Sequence, residues 1–143
     1  MASGVKVLDE VTEAFNEIKL GHKWRYVTFR ISDDMKEIIT EGKGEKKDTP
    51  NEYETFLESL PADEPRYVVY DFHYQLADGG QRDDVIMISW CPDTTKVKKK
   101  MLHASSKDAL VKKLQYGGKP FQATEVSDIT KEVVMETLKK GKE

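Results

Sequence analysis

Apolar positions along the chain fall into short periodic runs separated by polar breaks. Val11, Ala14, Phe15 and Ile18 stand at i, i+3, i+4 and i+7, which predicts an amphipathic helix over residues 9–20. Asp9 reads as its N-cap, Glu10 and Glu13 suit its positive end, Lys19 suits its negative end, and Gly21 can close it. Residues 26–32 alternate instead: Val27, Phe29 and Ile31 oppose Tyr26, Thr28 and Arg30, the period of a strand. Ile38 and Ile39 mark a second strand after the turn Ser32–Lys36, and residues 42–48 read as a polar loop. Thr49 can cap a helix, Pro50 suits its first position and Glu52 can complete a capping box. Tyr53, Phe56, Leu57 and Leu60 supply that helix's apolar stripe, and Pro61 ends it.

Two unbroken apolar runs follow, Tyr67–Tyr70 with Phe72 and Tyr74, and Val85–Ile88 with Trp90. Lacking polar alternation, they read as central strands covered on both faces. Asp78-Gly79-Gly80-Gln81 suggests a hairpin between them. A long helix is predicted over about 96–116, with Val97, Met101 and Ala104 on its core face and Gly117-Gly118 at its end. A short strand at Phe121–Ala123 comes next, then a last helix from about Asp128, capped by Ser127 and carrying Ile129, Val133, Val134 and Leu138. The order α-β-β-α-β-β-α-β-α predicts an α+β fold: a mixed five-stranded sheet sandwiched between helices.

Composition narrows the class. The chain has 143 residues, 38% hydrophobic and 34% charged, which suits one domain over 1–143, with 1–6 expected to be mobile and 141–143 a tail. No apolar run approaches the roughly 20 residues of a membrane span. Met1–Lys6 lacks the pattern of a secretory leader. The lone Cys91 precludes an internal disulfide and suits a reducing compartment, so a cytoplasmic location is expected. A net charge of −3 gives no sign of a nucleic-acid binder.

Catalytic patterns are poor. His22, His73 and His103 fall on different elements with no metal-ligand spacing, and no phosphate-loop pattern exists. Cys91 reads as a packed strand-end thiol. The one local violation is electrostatic: Lys96, Lys98, Lys99 and Lys100 crowd the start of the long helix, where cations oppose the dipole. Rule-breaking of this kind is expected at functional sites, here a cationic end for an anionic or carboxylate-rich partner. A merely solvated face is the alternative.

The blocks Trp90-Cys91-Pro92-Asp93-Thr94 and Lys98-Lys99-Lys100-Met101-Leu102-His103-Ala104-Ser105-Ser106-Lys107-Asp108-Ala109-Leu110 resemble the actin-depolymerising factor/cofilin family. Ser3-Gly4-Val5, Phe15–Gly21, Leu60–Asp63, Arg66–Phe72 and Gln122–Thr124 extend the resemblance in order over nearly the whole chain. It implies a mostly antiparallel sheet flanked by helices, and binding to actin monomers, ADP-actin preferred, and to filament sides, with depolymerisation and severing. It implies phosphoinositide binding, a monomer, no cofactor and no covalent chemistry. By resemblance the monomer-binding surface uses Ser3, Gly4, Val5, Lys98, Lys100 and Met101, with Ile129 and Val133 as neighbours. The filament-binding surface uses Arg82, Asp84, Glu136, Thr137 and Lys140. Asp84 stands where many members carry a lysine or arginine and Thr137 where some carry an arginine, so weaker filament binding or severing is expected; His103 replaces the usual aromatic, so contact there is expected to change. Ser3 matches a phosphorylated position, where about −1.5 to −2 added charge should switch binding off. The alternatives are a coactosin-like filament binder or a glia-maturation-factor-like binder of the Arp2/3 complex. A basic-helix membrane or nucleic-acid binder is a further one.

Overall fold

Alternation in the two central strands organises the molecule. The computed structural model describes residues 4–140. It contains β1 (Lys6–Val7), α1 (Asp9–Lys19), β2 (Tyr26–Ile31), β3 (Glu37–Gly44), α2 (Glu52–Glu58), β4 (Arg66–Gln75), β5 (Gln81–Trp90), α3 (Val97–Leu114), β6 (Phe121–Ala123), a 3-10 turn (Val126–Ile129) and α4 (Lys131–Lys140). Along β4, Tyr67 and Val69 enter one core with Phe15, Ile18 and Leu110, so α1 and α3 cover that face. Val68, Tyr70, Phe72 and Tyr74 enter a second core with Tyr53, Phe56, Ile129 and Val134, so α2 and α4 cover the other. The expected layered α+β fold is the observed one.

The sheet has six strands, in the order β1-β3-β2-β4-β5-β6. The inner pairs are antiparallel, while β1 joins β3 and β6 joins β5 in parallel. The additional strand is β1, which pairs Lys6 and Val7 with Glu37 and Ile38. Two residues are too short for an alternation to register in sequence. β3 also outruns expectation: the segment read as a loop from residue 42 stays paired to Gly44. The Tyr26 ring lies over Gly44, and any side chain there would run into it.

Several caps differ from expectation. Leu8, not Asp9, precedes α1, which leaves Asp9 and Glu10 in its first turn. α2 begins one residue after Asn51, without a side-chain cap. Glu52 instead pairs with buried Arg25 at 3.0 Å and accepts the Lys47 amide at 2.7 Å. Arg25 also donates to the Asp71 carbonyl and to Asp48. Asp71, 1% exposed, pairs with His22 and Lys46, so loop 45–51 is tied down by charge. α3 closes at Gln115, whose φ of 54° is left-handed, ahead of Gly117. The turn before α4 is capped by a reciprocal Glu125–Asp128 box; Ser127 only donates to Glu125.

Candidate interaction surface

The leading end of α3 exposes what a core helix buries. Val97 is 71% and Met101 68% exposed, and Ala104 is exposed as well. These three do share a face, but it looks outward. The buried stripe is His103, Ser106, Leu110 and Leu114. Lys96 precedes the helix without a side-chain cap, and no acid occupies the first turn. Lys98 is exposed and Lys100 half-buried, and among the described residues neither is neutralised by an ion pair. Apolar side chains flanked by ammonium groups can shed water against a partner and attract an acidic one.

The N-terminal segment is drawn to the same side of the sheet. β1 packs on α3, and Val5 is buried in the core that holds Leu110 and Leu114. Val5 therefore anchors the segment. Gly4 has φ +81°, a conformation that side chains rarely tolerate, and it is exposed. Ser3 lies outside the described residues. Ile129 is fully buried, and its carbonyl accepts the Tyr53 hydroxyl at 2.7 Å, so it presents no surface. Val133 and Val126 are partly exposed.

His103 is 3% exposed, which corrects its assignment to a contact surface. Its ring stacks on Tyr67 and shares a 2.9 Å hydrogen bond with Ser89, while the Tyr67 hydroxyl donates to the His103 carbonyl at 2.5 Å. Burial, with Lys107 and Arg66 adding to it, pushes the imidazole down to about 4. Ser89 beside a histidine has the composition of a nucleophile and base, but both are buried. Burial pushes the Cys91 thiol up, away from reactivity. Among the described residues no group of acids, His or Cys is arranged to hold a metal, and no helix is long and apolar enough to cross a membrane.

The β4–β5 hairpin and α4 form a second region. Arg82 is exposed opposite Tyr74. Asp84 is half-buried and accepts the Tyr74 hydroxyl at 2.6 Å. Burial, then that hydrogen bond and the Asp84 charge, pushes the phenol up to about 12. His73 and Asp83 pair across the strands at 2.5 Å. Glu136, Thr137 and Lys140 are exposed on α4, where the Thr137 hydroxyl donates to the Val133 carbonyl at 3.0 Å. Val134 of α4 shares a core with Tyr74, which puts α4 on the sheet face that Tyr74 enters.

Comparison with known proteins gives a consistent result. Residues 4–139 match the family model described as cofilin/tropomyosin-type actin-binding protein. The chain is 43% identical over 136 residues to cofilin of Schizosaccharomyces pombe, covering 95% of this chain and 96% of that one. It is 40% identical over 138 residues to actophorin of Acanthamoeba castellanii, covering 96% and 97%. The crystal structure of Plasmodium berghei actin depolymerization factor 2 superposes with a TM-score of 0.84 at 28% identity, covering 96% of this chain and 97% of that one.

Proposed function

From the premise that the chain belongs to the cofilin/tropomyosin-type family of actin-binding proteins, we propose that it binds actin monomers, ADP-actin in preference, and filament sides, promoting depolymerisation and severing. The observation that carries this reading is the start of α3, where exposed Val97 and Met101 are flanked by Lys98 and Lys100. Buried apolar contact holds such a complex, and rim lysines speed its formation. Ser3 and Gly4 extend the monomer-binding surface, and Val5 fastens it. The chain acts by binding, as a monomer without a cofactor, and works in the cytoplasm on the actin cytoskeleton. Phosphoinositide headgroups compete for the same lysines. A phosphate on Ser3 repels the acidic partner.

Filament sides are met by Arg82, Glu136 and Lys140, with Asp84 and Thr137 lowering the positive charge of that surface. Filament binding and severing are therefore the weaker activities. The deciding experiment is filament disassembly by the pure protein under the microscope, beside native gel shift with ADP-actin monomers. The Lys98→Ala/Lys100→Ala variant is expected to lose the monomer shift. If it shifts monomers as the parent does, the reading is wrong.

A further inference from the structure

The lysines that open α3 are not equivalent. Residues two apart on a helix point about 200° from one another, so Lys99 faces away from Val97 and Met101. It begins the inward stripe that continues through His103, Ser106 and Leu110. Its ammonium lies 2.8 and 2.9 Å from the two carboxylate oxygens of Glu64. Glu64 belongs to the link between α2 and β4, and that link is fastened at two further points. The Pro61 carbonyl accepts the Trp90 indole N–H at 2.8 Å, and the Ala62 carbonyl accepts the Thr94 hydroxyl at 3.0 Å.

This brace supplies what α3 lacks. The helix starts with no side-chain cap, no acid in its first turn and several mutually repelling cations. An acid in its outward-facing first turn would relieve the strain but would confront a carboxylate-rich partner. Glu64 brings the negative charge from another element, on the inward side, and leaves the outward side cationic. Resting on the actin-binding reading above, we infer that Glu64 is a positioning residue: through Lys99 it holds the first turn of α3 so that Lys98, Lys100 and Met101 present one surface to the partner.

The sign of one substitution separates this from simple charge attraction. Glu64→Gln makes the helix end more positive, so attraction alone predicts tighter binding of ADP-actin monomers. Positioning predicts affinity weaker by about 3- to 10-fold, carried mainly by faster dissociation. Lys99→Met is expected to lose a similar amount, and the double variant to lie within about 2-fold of either single one. In the free protein, amide exchange at Lys100, whose N–H bonds to the Lys96 carbonyl at 2.9 Å, should quicken several-fold in Glu64→Gln. Unchanged or tighter binding by Glu64→Gln, additive losses in the double variant, or unaltered exchange at Lys100 would each overturn the inference. Failure of the underlying reading is told apart because the parent itself then forms no complex with the monomer, whatever the exchange shows.

Discussion

At the scale of single residues, two polar side chains hold structural roles inside the fold. His103 keeps its ring neutral in the fold, at about 4, while an unfolded chain titrates near 6.5. Between those values the unfolded state binds a proton that the folded state refuses. Stability from this group is therefore intact above pH ~6.5 and falls as pH drops toward ~4, by on the order of 3 kcal/mol. Denaturant unfolding at a series of pH values checks this. His103→Phe keeps a ring on Tyr67 and should flatten the slope, at a cost of about 1 kcal/mol from the Ser89 hydroxyl left without its partner. An equally steep slope in that variant would assign the acid sensitivity elsewhere. Asp84 is the second case. As the acceptor for a buried phenol it has a structural duty besides its proposed effect on filaments. Asp84→Lys supplies no acceptor, and should strengthen filament co-sedimentation while lowering stability by about 1–2 kcal/mol. Asp84→Asn retains an acceptor and removes the charge, so it should strengthen co-sedimentation with Tm nearly unchanged.

At the scale of elements, α3 carries a buried stripe and an exposed one, and on the proposed reading only the exposed one meets the partner. Leu110 is wholly buried and Met101 largely exposed. Leu110→Ala should cost about 2–5 kcal/mol of stability. Met101→Ala should cost less than about 0.5 kcal/mol of stability yet weaken ADP-actin monomer binding by about 10-fold. Thermal unfolding and a fluorescence titration of the same two variants test both halves; a Met101→Ala protein that binds as the parent does removes the residue from the surface. The same helix shows where reading from sequence stops. Periodicity identifies Val97, Met101 and Ala104 as one face, and correctly so, but a helix with two stripes does not declare which one packs. Here the inward stripe carries His103 and Ser106, whose polar atoms are satisfied by groups distant in sequence. Elements with strong local signals, namely α1, α2, β2 and the β4–β5 hairpin, were legible. β1, the far half of β3 and the cap of α3 depend on register and packing that no local window contains. The Lys99–Glu64 brace was likewise invisible, because it joins residues 35 apart in sequence.

At the scale of the whole molecule, charge is distributed against its own sum. The chain carries −3 overall, so at long range an acidic partner meets a net repulsion. Positive charge is concentrated at the opening of α3, where Lys96, Lys98 and Lys100 lie together and Lys99 is already neutralised by Glu64. The two layers of the fold place this end on the α1–α3 face, while α4 and the Tyr74 side of the hairpin belong to the opposite face. Monomer and filament contacts should therefore respond to different substitutions: Lys98→Ala should leave filament-side binding less affected than monomer binding, and Arg82→Ala the reverse. The charge arrangement also fixes how encounter depends on salt. Raising ionic strength from about 0.05 to about 0.2 M shortens the screening length and weakens both the local attraction and the wider repulsion. On the proposed reading the lysines lie nearest the partner, so attraction should dominate at contact. The association rate with actin monomers should fall several-fold, while dissociation, held by Val97 and Met101, changes by less than about 2-fold. In Lys98→Ala/Lys100→Ala the association rate should lose its salt dependence or reverse it, as the residual −5 charge, from −3 less two lysines, takes over. Stopped-flow mixing at the two salt concentrations reads both rates. A parent whose association quickens with salt would mean that the lysine cluster does not guide the encounter.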